Sequence, residues 1–300
     1  MSNKQKKQQQ NRAVQDCIFC GSRPLTGEHF WSKWLKPLID EHAKGKYVPN
    51  MHMFAYSEIE NFGTNREREI KQPKKRTGPA ESWQPKVVCS TCNNGWMSGI
   101  DDAAKPILSK LIIGDSINIG NEERAIISRW LYLKTIIGEF KSNNDKLITK
   151  AERYHFKETR EVPEKWDFWL ARVNPPDWAR YHSQPLGGFR LTDFIKGRQV
   201  SYIHESTIFI IGELILFGAT FPANSPGFPR GLTYSIIGDY ERKMQRIHPD
   251  VSGFFGGLFR NKNWQDFEPL NWIERDQLKI NSQTFVRVFL SVVSRHNDTF

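Results

Sequence analysis

The strongest constraint on this chain is that its four cysteines form two Cys-x-x-Cys pairs. Cys17 pairs with Cys20 and Cys89 pairs with Cys92, and 68 residues separate the two pairs. Four thiolates match the closed tetrahedral coordination of a structural zinc ion, which has no open position for chemistry. We therefore predict a zinc ion that is held by these four cysteines and staples the surrounding elements together.

The net charge favours an anionic partner. The 300 residues include 43 Lys and Arg against 33 Asp and Glu, a net charge of +10. Residues 1–110 hold 18 of these bases and 11 of these acids, so the basic excess accompanies the cysteines. Nucleic acid is the first candidate partner and an anionic membrane the second, while a basic surface without a binding role is the alternative.

The sequence also predicts where the chain resides. Residues 1–16 are basic and polar without the apolar core of a signal peptide, and no apolar run approaches the length of a membrane span. Paired thiols in such a chain more often bind metal in a reducing compartment than form disulfides. We expect a cytoplasmic protein without a membrane partner, and a disordered tail over 1–16 that either tracks phosphates or only aids solubility.

The hydrophobic pattern predicts an α+β fold. Trp96 and Ile100 have helical spacing after the second cysteine pair, and Pro106 is expected to end that helix. A second amphipathic helix is predicted over 122–140, with Asn121 as its cap. Strands are expected from residue 150 onward, including a hairpin over 207–217. Further candidates are a strand at 168–173, a strand at 233–237 and a strand or helix at 284–293.

Three residues near the cysteines could carry chemistry. Glu28-His29 follows the first cysteine pair and Asn93 follows the second. Histidine is the usual general base near neutral pH, and a carboxylate beside it can hold a hard cation. A zinc ion shared by both cysteine pairs would bring these three side chains close together.

This arrangement resembles the HNH nuclease family, whose zinc-bearing branch has a ββα-metal fold. The resemblance rests on Cys17-x-x-Cys20, Glu28-His29 and Cys89-x-x-Cys92-Asn93 and covers about residues 17–104. It implies that His29 is the general base that activates water against a phosphodiester. It implies further that Glu28 and Asn93 bind the catalytic Mg²⁺ or Mn²⁺.

The sequence departs from the family pattern at several positions. The family's middle asparagine is replaced by Gln84, whose amide is one methylene longer. Asn94 could compete with Asn93 for the ligand role. Asp101 is either an extra ligand, a residue that orients a ligand or an ordinary acid on the helix surface.

These predictions divide the chain into three parts. After the tail, residues 17–114 form a zinc-stapled HNH-like module with a basic inserted loop at 57–82, and residues 115–300 form a larger region of helices and antiparallel strands. The insertion offers four candidates for backbone phosphate contacts, or an ordinary solvated loop. They are Lys71, Lys74, Lys75 and Arg76.

The resulting hypothesis is a metal-dependent DNA endonuclease, with RNA as an alternative substrate. A restriction or phage-defence role fits the family, and the C-terminal region could set target choice, control or assembly with itself or another protein. One alternative is a non-catalytic, zinc-containing nucleic-acid-binding or regulatory protein, which Gln84 favours. The other is a protein-interaction protein whose basic face is incidental, although it leaves the Glu28, His29 and Asn93 pattern unexplained.

Overall fold

The structure, a computed structural model, places side chains for most of the N-terminal half of the chain and for parts of the C-terminal half. Backbone and side chains are described over 16–42, 84–140, 146–176, 207–220, 243–249, 262–271 and 273–274, and the backbone alone at 43 and over 52–60, 68–76, 177–195 and 198–206.

Helices and antiparallel strands both occur, as an α+β fold requires. The helices are α1 (Leu35–Ala43), α2 (Ser98–Ile113), α3 (Asn121–Glu139) and α4 (Lys150–Thr159). The strands are β1 (Leu25–Gly27), β2 (His52–Glu60), β3 (Arg68–Arg76), β4 (Lys86–Cys89), β5 (Asn118–Ile119), β6 (Trp166–Ile195), β7 (Arg198–Thr220), β8 (Met244–His248) and β9 (Lys262–Asn263).

The N-terminal part is built on the pairing of β1 with β4. The two strands are antiparallel, with Leu25 opposite Cys89 and Thr26 opposite Val88. A short helical turn, Ser90–Cys92, follows β4 directly, and a wider π-helical turn, Asn93–Met97, joins it to α2. The chain therefore passes from a pair of strands straight into a helix.

Helix α2 corrects the prediction that Pro106 ends a helix, because this residue lies inside α2. Pro106 is on the exposed side, where water can replace the hydrogen bond that proline removes. On the other side Ile107, Leu108 and Leu111 are buried. Their packing keeps the helix continuous through the proline.

Helix α3 agrees with the predicted amphipathic helix except at its start. Gly120, not Asn121, is the cap residue, and its backbone N–H donates to the Glu123 carboxylate over 2.9 Å. The predicted apolar stripe is buried at Trp130 and Ile137. Several polar residues of α3 are buried as well, so the helix is enclosed by protein on more than its apolar face.

The predicted hairpin over 207–217 is wrong, because these residues belong to the single strand β7. Strand β6 lies between β7 and β8 in an antiparallel sheet. Gly212, at φ +55°, lies at a bulge, where residues 173–176 of β6 are opposite the single residue Glu213. Glycine tolerates this positive φ in a bulge as readily as in a turn, so the sequence favoured the wrong alternative.

The predicted loop at 57–82 also needs correction. Strands β2 and β3 pair antiparallel over nine positions, from His52 opposite Arg76 to Glu60 opposite Arg68. Much of the insertion is therefore a β-ribbon. The predictions for residues 1–15, 233–237 and 284–293 lie outside the described residues.

One hydrophobic core connects the cysteine region to the C-terminal sheet. Phe30 stacks on Phe209 of β7 with ring centroids 5.7 Å apart, and Trp31 meets the same ring at 5.6 Å. Trp130 of α3 also contacts Phe209. The segment after β1 is thus packed between α3 and β7. None of the described helices is both long and apolar enough to cross a membrane.

Glu139, at the end of α3, ties this helix to the segment that leads into α4. Its Oε1 accepts hydrogen bonds from the backbone N–H groups of Leu147, over 2.5 Å, and Ile148, over 3.0 Å. Burial raises the pKa of Glu139 to about 7, although these N–H groups and the cations Arg153 and Lys146 lower it. The folded protein therefore holds the Glu139 proton more tightly than the unfolded chain does.

We predict that this raised pKa makes stability fall as the pH rises. The contribution is fully present below the ordinary glutamate pKa of 4.5 and is lost as the pH passes through about 7. In urea unfolding, wild type should lose about 3 kcal/mol relative to Glu139→Gln between pH 4 and pH 8. A difference between the two proteins that is independent of pH would contradict the assignment.

Candidate functional site

The four cysteine sulfur atoms converge at the end of the β1–β4 pair. Each lies within 4.8 Å of the others, with Sγ of Cys20 3.5 Å from that of Cys89 and 3.6 Å from that of Cys92. Zinc–sulfur bonds of about 2.3 Å in a tetrahedron place sulfur atoms about 3.8 Å apart, whereas a disulfide requires about 2.05 Å. The four cysteines are free thiols in an arrangement compatible with a zinc site.

The first cysteine pair is shaped by a tight turn. Gly21 has φ +77°, and its N–H donates to the carbonyl of Cys17 over 2.8 Å. This left-handed conformation favours glycine and aims both sulfur atoms to one side. The second pair needs no such turn, because Cys89 ends β4 and Cys92 lies in the first helical turn.

The local environment shifts the pKa of individual cysteine thiols in opposite directions. Burial raises the pKa of Cys17 and of Cys92. At Cys20 burial has the same effect, but hydrogen bonds from Ser22 and the neighbouring cysteines outweigh it and lower the pKa to about 6. Since thiolates are the form that binds zinc, metal binding must release protons from this cluster.

Helix α4 of the C-terminal region covers the cysteine cluster. The guanidinium of Arg153 donates to the backbone carbonyl of Ile18 over 3.2 Å. Arg160 lies over the Trp96 ring, 4.5 Å from its centroid, and Phe19 meets the same ring edge to face at 4.9 Å. The turn between Cys17 and Cys20 is therefore held by Arg153 of α4 at Ile18 and by Trp96 at Phe19.

His29 lies two residues beyond the end of β1, and the residues that immediately precede β4 contact this segment. The backbone N–H of Glu28 donates to the carbonyl of Pro85 over 3.1 Å, and Nε2 of Gln84 donates to Nε2 of His29 over 2.7 Å. The amide of Gln84 thus contacts the imidazole directly. Burial lowers the pKa of His29, and Lys33 and Lys134 lower it further against the opposing effect of Asp101.

Glu28 points into the protein and has only 6% of its surface exposed. Its Oε1 lies 3.5 Å from Nζ of Lys134, whose side chain is completely buried. Burial raises the pKa of Glu28, Lys134 lowers it, and Asp101 raises it. The carboxylate that sequence reasoning assigned to a cation therefore already has a cationic partner from α3.

Asn93 lies against the end of β1. Its Nδ2 donates to Oγ1 of Thr26 and to the backbone carbonyl of Gly27, each over 3.3 Å. Because Gly27 directly precedes Glu28, the structure places Asn93 beside the strand that leads into the Glu28-His29 pair. Asn94 is exposed to solvent.

Asp101 connects three elements. Its Oδ1 accepts hydrogen bonds from Oγ of Ser32, over 2.6 Å, and from Nε1 of Trp130, over 2.7 Å. Its Oδ2 lies 3.6 Å from Nζ of Lys134. Among the alternatives left open by the sequence, this geometry favours a residue that orients its neighbours.

Sequence reasoning missed Lys134, Trp130 and Ser32. A signal for Lys134 was present, since it lies four residues after Trp130 within a long apolar stretch of α3. A lysine at such a position requires a buried partner. The predicted phosphate contacts of Lys71, Lys74, Lys75 and Arg76 cannot be compared with the structure, which describes only the backbone of β3.

Comparisons of the chain with protein-family models, with curated proteins and with solved structures found no match. Interpretation of the site therefore rests on its own geometry.

We predict that the purified protein carries a single zinc ion, and that Cys89→Ser or Cys92→Ser abolishes its binding. The stability of the β1–β4 pair should fall with it, because metal binding contributes directly to folding. Metal analysis by mass spectrometry and thermal unfolding with and without a chelator measure both effects. His29→Ala should keep its zinc, and an unaltered zinc content in either cysteine variant would contradict the ligand assignment.

Proposed function

We propose that the protein is a metal-dependent DNA endonuclease with an HNH-like module, in which His29 is the general base for phosphodiester hydrolysis. The observation that carries the proposal is the position of His29 and Asn93 at the end of β1, in the strand pair where the four cysteines converge. The passage from the β1–β4 pair into helical turns that begin at Ser90 and include Asn93 supports the same conclusion.

The environment of His29 suits a proton acceptor. Its lowered pKa keeps the imidazole unprotonated near neutral pH. In the hydrogen bond with Gln84 as it stands, Nε2 of His29 accepts, so Nδ1 carries the ring proton of the neutral imidazole. Turning the Gln84 carboxamide over would let its oxygen accept from Nε2–H and would leave Nδ1 as the basic atom.

The resemblance assigns the catalytic Mg²⁺ or Mn²⁺ to Glu28 and Asn93, which would hold it, although the buried Glu28 carboxylate faces Lys134 in this structure. A carboxylate and an amide oxygen are ligands that such hard cations accept, with phosphate oxygens and water completing the coordination. Asn93 donates through Nδ2, so its carbonyl oxygen is the atom suited to a cation. When bound, the cation would polarise the phosphate and stabilise the leaving oxygen.

The proposed substrate is DNA, with RNA as the alternative. The net charge of +10 favours a polyanion, and most of this excess lies in the N-terminal part that contains the site. Lys33 and Lys86 are exposed and lie close in sequence to His29 and Gln84, where they could contact phosphates. Restriction or phage defence is the biological role that we propose for such an activity.

A second candidate function is favoured by Lys134. Its Nζ lies beside the carboxylates of Glu28 and Asp101, so both acids have a lysine partner without any added metal. A zinc-containing nucleic-acid-binding protein that does not cut its ligand would accommodate this arrangement.

We predict that the wild-type protein nicks supercoiled plasmid in the presence of Mg²⁺ or Mn²⁺. His29→Ala should reduce the rate by about 10²- to 10⁴-fold, because general-base catalysis contributes a factor of this size. Gel electrophoresis of the plasmid over time measures the rate.

His155→Ala is the matched control, since His155 is an exposed histidine on α4 and should leave cleavage unchanged. Single-stranded DNA and RNA are tested in parallel. If neither protein cuts any of these substrates, yet both carry zinc and retard DNA in a gel, the binding protein is the correct assignment.

A further inference from the structure

Lys134 is a fully buried lysine that faces three oxygen groups. Its Nζ lies 3.5 Å from Oε1 of Glu28 and 3.6 Å from Oδ2 of Asp101, and it donates to the backbone carbonyl of His29 over 3.3 Å. The exposed fraction of its side chain is 0%. Nζ also lies over the Trp130 ring, 5.8 Å from its centroid.

Stability alone is a weak explanation for such a group. Removing an ammonium and a carboxylate from water costs more than a single ion pair usually returns, and an apolar residue of similar volume often serves a core as well. Here two carboxylates converge on one lysine. Without that lysine they would repel each other in a region where Glu28 is buried and Asp101 is only partly exposed.

The contacts of Lys134 fix the backbone on both sides of the His29 ring. It contacts the residue before His29 through the Glu28 carboxylate and the peptide after it through the His29 carbonyl. One residue further on, Phe30 is buried against Phe209. Ser32 is held by Asp101, the other carboxylate beside Lys134.

We propose that Lys134 is a positioning residue for His29 and Glu28, contributed by α3 of the C-terminal region. It sets the direction of the His29 peptide and the place of the Glu28 carboxylate, while the imidazole keeps its contact with Gln84 and remains partly exposed. The inference rests on the proposed nuclease function, and it makes the site a joint product of the two parts of the chain. Residues 17–114 would hold the reacting groups, but the geometry of these groups would depend on Lys134 of α3 as well.

The test compares Lys134→Met with wild type, because methionine keeps an unbranched apolar side chain and removes the charge. We expect kcat for plasmid nicking to fall by about 10²-fold with KM nearly unchanged, as for a displacement of a reacting group by about 1 Å. Glu139→Gln is the matched control, since it alters another buried ionisable residue of α3, whose carboxylate contacts the backbone of Leu147 and Ile148. It should keep the wild-type kcat at equal zinc content.

A second readout does not depend on cleavage. In NMR spectra of histidine-labelled protein, the His29 ring signals, assigned from their absence in His29→Ala, should shift in Lys134→Met and stay in place in Glu139→Gln. If the methionine variant does not fold, Lys134→Gln replaces it, because an amide still offers hydrogen-bond donors to the surrounding oxygens.

The outcomes separate the two proposals. An inactive wild type overturns the nuclease function, whereas the NMR comparison still decides whether Lys134 positions His29. An active wild type with unchanged kcat or unmoved His29 signals in Lys134→Met overturns the positioning role. Equal losses of kcat in Lys134→Met and Glu139→Gln overturn it as well, since they would reflect a general weakening of α3.

Discussion

The convergence of four cysteines at one point is the constraint on which the N-terminal part of this protein depends. Strand β1 has only three residues and β4 only four, too few to form a stable sheet alone. A zinc ion bound by all four thiolates would close the 68-residue gap between the cysteine pairs. The same zinc ion would hold the helical turns that follow β4 against the two strands. Asn93, in the second of these turns, would be held there as well.

A second constraint on the proposed site is the group of buried and partly buried ionisable side chains beside the Glu28-His29 segment. Glu28 and Asp101 face Lys134 inside the protein, and each group has polar partners that reduce the cost of its burial. These contacts join the segment after β1, helix α2 and helix α3. The cysteine cluster and the buried charges thus hold the Glu28-His29 segment from two directions.

The division at residue 114 remains a prediction about how the chain is organised. The core contacts do not follow it, since Phe30 packs on Phe209 and Arg153 bonds the carbonyl of Ile18. The C-terminal region supplies packing contacts and hydrogen bonds to the N-terminal part. This explains why the resemblance to a nuclease module, confined to residues 17–104, describes only some of the residues around His29.

The sequence by itself determined the features that are local or set by residue type. Cysteine spacing predicted that the four cysteines converge in an arrangement compatible with zinc, and helical periodicity predicted α3 to within a residue. Only the tertiary structure decided that Gly212 belongs to a bulge, because neighbouring strands, not local preference, choose between bulge and turn. The contact between Lys134 and His29, which are 105 residues apart in sequence, was also visible only in the tertiary structure. The partners of a buried charged group come together only when the chain folds.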